Sequence, residues 1–252
     1  MILKKLLFNF LLLITTITTA QMANPDVFKT ENGKISVYPI NHASLVLTYN
    51  NKTIFVDPVG DASTYQKFAS PDLILITDTH GDHFSLKTIE KIMGENSDLV
   101  VPLQVSTQIP DELIKQTSIL ENRKGMHRLN FYIEAIPMYN LPESPTSKHP
   151  KGRGNGYVLD IDDKRIYISG DTEDIKEMRE LMHIDIAFVC MNLRYTMNEE
   201  QAASAVLEFQ PKVVYPYHYR GKDNFCDVAR FKELVNNENK NIEVRLKDWY
   251  AN

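Results

Sequence analysis

The run Leu73-Ile-Leu-Ile-Thr77-Asp78-Thr79-His80-Gly81-Asp82-His83 decides how the rest of the chain is read. Its first five residues form an apolar segment of strand length, the pattern of a strand buried on both faces. The six that follow hold two Asp and two His around a glycine, in a chain with only 7 His among 252 residues. Carboxylates and imidazoles are ligands for a divalent cation. They are packed too tightly here for one helix face, but Gly81 lets a loop turn all four toward one cavity. A helix-opening loop with capping carboxylates and solvated imidazoles is the competing reading, and it leaves that concentration unexplained.

Three other apolar runs end the same way. Thr53-Ile-Phe-Val56 stops at Asp57, Arg165-Ile-Tyr-Ile-Ser169 at Gly170-Asp171-Thr172, and Val213-Val-Tyr-Pro-Tyr217 at His218. One such ending means little, since Asp is a common turn former. Four of them, rich in metal-ligand types, point to a site at the carboxyl ends of sheet strands, where a rigid scaffold fixes groups supplied by loops.

Further strands are expected at Lys34–Ile40, at Ser44–Tyr49 and Lys52–Val56 around an Asn50-Asn51 hairpin turn, and at Phe131–Ile136, Gly156–Ile161, Ile184–Met191 and Ile242–Leu246. Helical patterns lie at Leu86–Met93, Thr172–Met182, after the Thr196-Met-Asn-Glu199 capping box through Phe209, and at Val228–Asn236. Such a mixture predicts an α/β protein of mixed sheets with helices outside. No fixed-period repeat is apparent.

Asp78–His83 resembles the H-x-H-x-D-H signature of the metallo-β-lactamase superfamily. The order of Asp57, ligand loop, Ser169-Gly-Asp-Thr172 and late His218 agrees with it over roughly residues 34–250. The chain is most similar to the broad UlaG-like group of metal-dependent hydrolases, whose members include sugar-phosphate lactonases. The resemblance implies a four-layer αβ/βα sandwich with the metal site at one rim. It implies that His80 binds a first metal, that Asp82, His83 and His218 bind a second, and that Asp171 bridges the two. Asp78 stands where the signature has its first His; it can still ligate zinc, and it would shift preference toward a harder ion such as Mn²⁺ or Fe²⁺. The remaining ligand of the first metal is a His between the loop and Asp171. Of His127 and His149, the first lies in a charged segment and the second is preferred.

The implied cofactors are two divalent metal ions, zinc in the first instance, and the implied activity is hydrolysis. Hydroxide held by the metals would attack an ester or lactone, a phosphodiester or an amide, with Asp82 both ligating and orienting the nucleophile. A true β-lactamase and a non-catalytic metal- or ligand-binding protein are the alternatives. His42, after the first strand, is read either as lining the cavity without ligating, where it would touch substrate, or as a hydrogen-bonded packing residue, and His183 as structural. Lys148, Lys151 and Arg153 of the basic loop, and Arg194 with Tyr195, are candidates to hold an anionic group of a small-molecule substrate. Gly152-x-Gly154-x-Gly156 is similar to a dinucleotide loop only superficially, since it precedes a strand.

Composition sets outer bounds. With 43% hydrophobic and 24% charged residues the chain is globular, and 28 Lys+Arg against 33 Asp+Glu argue against a nucleic-acid partner. Met1–Ala20 reads as a secretory signal peptide: Lys4 and Lys5, an apolar core from Leu6 to Ile14, then small residues Thr18 and Ala20 before Gln21. That core is too short to span a bilayer. The mature protein is expected to be exported, periplasmic or secreted, without membrane insertion. Residues 21–33 form a lead-in and 34–252 the hydrolase domain. Two cysteines make no disulfide framework. Export would allow Cys190 and Cys226 to pair, but the apolar surroundings of Cys190 favour a buried free thiol.

Overall fold

The computed structural model describes residues 24–222 and 224–250; the expected signal peptide lies outside them. Two seven-stranded sheets account for the scaffold. The first holds β1 (Asp26–Lys29), β2 (Lys34–Asn41), β3 (Ser44–Tyr49), β4 (Lys52–Val56), β5 (Leu73–Leu75), β6 (Asp98–Val101) and β7 (Thr117–Ile119), in that spatial order. The second holds β8 (Gly125–Arg128), β9 (Phe131–Met138), β10 (Gly154–Ile161), β11 (Lys164–Ile168), β12 (Ile186–Cys190), β13 (Val213–Tyr217) and β14 (Glu243–Val244), also in sequence order. In each sheet the first four strands pair antiparallel and the last four parallel. The two halves thus repeat one topology that no sequence period announces.

Side-chain alternation explains the layering. Leu45, Leu47, Ile54, Val56, Leu73 and Leu75 join the main core with Ile133, Leu159, Ile166, Ile168 and Phe188 of the second sheet. Their neighbours in sequence, Val46, Phe55, Ile74 and Ile76, belong to a separate cluster with Ile89 and Ile92 of α1 (Leu86–Ile92). A period of two therefore buries both faces of these strands, one on the opposing sheet and one under a helix. Two short helices, α2 (Leu103–Ser106) and α3 (Asp111–Ile114), complete the first half. On the second half lie α4 (Lys176–Arg179), α5 (Glu199–Phe209) and α6 (Val228–Glu238). The architecture is the expected α/β sandwich. No helix among the described residues is long and apolar enough to cross a membrane.

The capping box at α5 forms two residues later than the Thr196–Glu199 reading: Asn198 accepts from the Gln201 amide and Gln201 accepts from the Asn198 amide in return, so the helix opens at Glu199. Asn50 takes the positive φ of 51° at the hairpin turn. The expected helix Thr172–Met182 shortens to the four residues of α4. Its first part is spent elsewhere: Glu173 donates its amide to the Tyr139 carbonyl at 2.9 Å, and its carboxylate accepts from Asn140 at 3.0 Å. The segment before the domain is also partly structured. Asp26 of β1 accepts from Tyr215 Oη at 2.6 Å and pairs with Lys247 at 2.7 Å, tying the edge of one sheet to the other. Both cysteines are buried free thiols.

Candidate metal centre

Every strand-end residue singled out above arrives at one rim. His42 follows β2, Asp57 follows β4, and the Asp78–His83 loop follows β5. Asp171 follows β11, and His218 follows β13. His42, Asp57 and His218 all adopt positive φ, at 55°, 45° and 50°. Left-handed backbone at three non-glycine residues is strain concentrated where the strands deliver their side chains. Gly170, at φ 60°, makes the turn that aims Asp171. A Cβ there would lie 2.6 Å from Met138 Sδ and 3.2 Å from Thr77 Cβ. Gly170→Ala is expected to destabilise the fold by about 2–4 kcal/mol through strain and overpacking, read as a lower urea midpoint.

The ligand-type atoms fall into overlapping groups whose members lie within 4.8 Å of one another: Asp78, His80, His149 and Asp171; His83, Asp171 and His218; and His42, Asp82 and His218. Asp171 joins the first two. Its Oδ2 is 3.1 Å from His149 Nε2 and 3.3 Å from His83 Nε2, while Oδ1 is 3.4 Å from His218 Nε2. That straddling position is the one a bridging carboxylate needs.

The donor set fits divalent cations, and the surroundings support the fit. The Nε2 atoms of His83 and His218 face each other at 3.1 Å from nearly parallel rings. His149 is 1% exposed, yet neither ring nitrogen makes a well-formed hydrogen bond, and Asp171 Oδ1 has none either. Buried polar atoms left this way are costly unless something binds them. Orientation comes from the groups behind. Asp57, fully buried, accepts from Thr77 N at 2.7 Å and sits 2.7 Å from His83 Nδ1, which leaves His83 Nε2 free toward the cavity. Asn192 Nδ2 stands 2.9 Å from His218 Nδ1, and the amide's buried Oδ1 has no hydrogen-bond partner. Turned so that this oxygen meets Nδ1–H, the amide frees His218 Nε2 as a ligand.

Electrostatics agree with a site built for cations. Burial would raise the Asp171 carboxyl, but His218 and His83 hold it well below the usual range. Asp82 is lowered likewise, burial being outweighed by hydrogen bonds from His218 and His42. His83 is raised well above 6.5, because Asp171 and Asp57 outweigh its burial. His42 goes the other way: burial pushes it down to about 4 despite the Asp82 contact.

The sequence-derived roles divide. His80, Asp82, His83, His149, Asp171 and His218 are brought together. His127 and His183 are exposed and outside the cluster. His42 lines the cavity, but it also comes within reach of candidate ligands. Its Nε2 is 3.3 Å from Asp82 Oδ2 and its ring packs on His218 at 3.7 Å between centroids. Tyr250 Oη lies 2.8 Å from His42 Nδ1 and takes the Arg220 amide at 2.9 Å, so the C-terminal segment sets the ring's orientation.

Three substrate-binding expectations are corrected. Arg153 is committed to Asp78, with Nε 3.0 Å from Oδ1 and Nη2 2.7 Å from Oδ2. Lys151 turns to Glu143 at 2.8 Å and covers the Tyr139 ring. Arg194 is exposed and does not line the cavity. That cavity, of about 400 Å³, instead carries Lys148, Arg220 and Lys222 beside Tyr195, with His42, His80, Asp82, His149 and Asp171 below them. Asn192, Tyr250, Arg220 and Lys222 were not singled out in the sequence. Asn192 alone carried a signal, as the polar residue ending the run Ile184–Met191.

A two-sheet α/β sandwich with paired His/Asp clusters at one rim defines a metal-centred class of protein. A profile described as "Beta-lactamase superfamily domain" matches residues 36–218, and the chain belongs to the metallo-β-lactamase superfamily. It is 28% identical over 222 residues to a UPF0173 metal-dependent hydrolase of Pyrococcus abyssi, covering 84% of this chain and 96% of that relative. A crystal structure from Parabacteroides distasonis ATCC 8503, carried under the provisional description of a metal-dependent hydrolase, has a TM-score of 0.80 at 36% identity, covering 90% of this chain and 99% of its own. Igni18, described as a novel metallo hydrolase of Ignicoccus hospitalis, has a TM-score of 0.70 at 23% identity over 84% and 94% of the two chains, a likeness of fold.

Proposed function

We propose that this metal-dependent hydrolase is exported, works with two divalent cations, zinc in the first instance, and cleaves an ester or lactone, phosphodiester or amide in a small substrate bearing an anionic group. The observation that carries the reading is Asp171, whose two oxygens reach into both ligand groups. Asp78, His80 and His149 would hold one cation with Asp171, and Asp82, His83 and His218 the other. When bound, the pair supplies Lewis acidity and lowers the pKa of water toward about 7. The chain's own residues do the rest. Asp82, fixed by His42 Nε2–H, accepts a hydrogen bond from the attacking water and orients it. Asp57 and Asn192 keep two imidazoles aimed at the cavity. Lys148, Arg220 and Lys222 face the cavity mouth and suit a carboxylate or phosphate on the substrate.

The test is a screen of anionic lactones, phosphodiesters and β-lactams on one purified sample, with its metal content measured. Two metals per chain and turnover that disappears in Asp82→Ala are expected. A chain that takes up no metal from a replete buffer overturns the reading. Nitrocefin as the only substrate turned over would make the protein a β-lactamase.

A further inference from the structure

Asp78 and Arg153 form a two-pronged ion pair beside the candidate ligands. The Asp78 carboxylate has 0% side-chain exposure, and the guanidinium meets both its oxygens in a two-pronged pair. Oδ1 also accepts from the Thr79 amide at 2.7 Å. That oxygen is therefore saturated by donors. Oδ2 has Arg153 on one side and, on the other, His80 Nδ1 at 3.0 Å and His149 Nε2 at 3.9 Å. Only Oδ2 is placed to share an ion with those imidazoles. Arg153 also comes from the same loop as His149. The Arg153 amide donates to the Pro150 carbonyl at 3.2 Å, and Gly152 at φ 88° completes the turn that points the guanidinium inward.

We propose that Arg153 and Asp78 act as one unit that takes the place of an imidazole in the first cation position. Arg153 occupies Oδ1 and one side of Oδ2, which leaves a single oxygen to ligate. Its positive charge offsets the carboxylate, so the position keeps the charge that a neutral histidine would give it. Without Arg153 both Asp78 oxygens would lose their fixed partner, and the carboxylate could rotate or present either oxygen to the site. Arg153 is thus a positioning residue acting through Asp78. The inference rests on the two-cation reading above.

The experiment titrates Zn²⁺ alone into metal-free protein against a chromogenic chelator, which yields two dissociation constants without any substrate. Arg153→Ala is expected to weaken the weaker-binding or first-position constant about 10–100-fold, the range for partners that orient a ligand. In an Asp78→His background the same Arg153→Ala change is expected to alter that constant less than about threefold, because no carboxylate remains to be held. Arg153→Lys, which keeps charge without the fork, should fall between, and it carries the test if Arg153→Ala does not fold. Equal losses in both backgrounds, or none in either, overturn the proposal. Absence of zinc binding by the unaltered chain overturns the two-cation reading instead, so the two failures are distinct.

Discussion

Asp171→Ala is expected to release metal and to lower turnover by at least about a thousandfold. Asp171 is 2% exposed, and its two oxygens are the link between ligand groups that otherwise share no atom except through His218. Removing the carboxylate leaves His83, His149 and His218 converging on an empty space, with no negative charge among them apart from Asp78 and Asp82. Those two are already engaged by Arg153 and His42. A thousandfold corresponds to about 4 kcal/mol of lost transition-state stabilisation, within what a Lewis-acid centre supplies. Asp171→Asn separates charge from shape, because the amide keeps the volume and one acceptor. It should retain partial metal occupancy at strongly reduced turnover. Elemental analysis and kcat measured on the same preparations check both variants. An Asp171→Ala protein with two metals per chain and unchanged kcat is incompatible with the site.

The contrast between Asp171 and Arg153 shows what a sequence can disclose here. Asp171 was legible because it ends an apolar run, and the direction of a strand fixes where its next residue emerges. Asp57, Asp78 and His218 were legible for the same reason, and so was most of the sandwich, whose strands are continuous apolar runs. His149 was found only through the resemblance, as one of two histidines in the right interval. Arg153, Lys151 and Arg194 were misjudged because a loop cation has no such rail. The turn at Pro150–Arg153 sends one basic residue inward to Asp78 and leaves its neighbour Lys151 on Glu143, and nothing in their identity separates them. Arg220 and Lys222 lie at the cavity where residues distant in sequence hold the segment after His218: the Arg220 amide donates to Tyr250 Oη, thirty positions away, and the Lys222 amide to the Leu193 carbonyl at 3.3 Å. The repeated topology was invisible because the two halves share a pattern of pairing and burial, not of residues. Strands β1, β6, β7 and β8 were missed because each is three or four residues long and none carries an apolar run as long as Leu73–Ile76, which disclosed the equally short β5.

Stripping the cations should abolish activity and lower the melting temperature reversibly. Metal-free protein keeps a cluster it cannot fully satisfy: a buried His149 and a buried Asp171 Oδ1 without well-formed hydrogen bonds. Ligand binding to the folded state at a hundred times its dissociation constant adds about 2.7 kcal/mol, which in a chain of this size moves the melting temperature by about 5–11 °C. The sign of the pH effect follows from His83. Its folded-state pKa in the metal-free protein is raised, so a proton remains on it above 6.5, shared between Asp57 and Asp171. That proton stabilises the metal-free fold fully below the unfolded value and ceases to as pH rises through the raised one. A cation must displace it, so zinc affinity should rise with pH across that interval and fall on acidification. His42, already neutral down to about pH 4, takes no part in the exchange. Calorimetric titration of metal-free protein in two buffers of different ionisation enthalpy counts the released protons. At least one proton per chain is expected near neutral pH, and release of none would mean that His83 is not displaced and does not ligate.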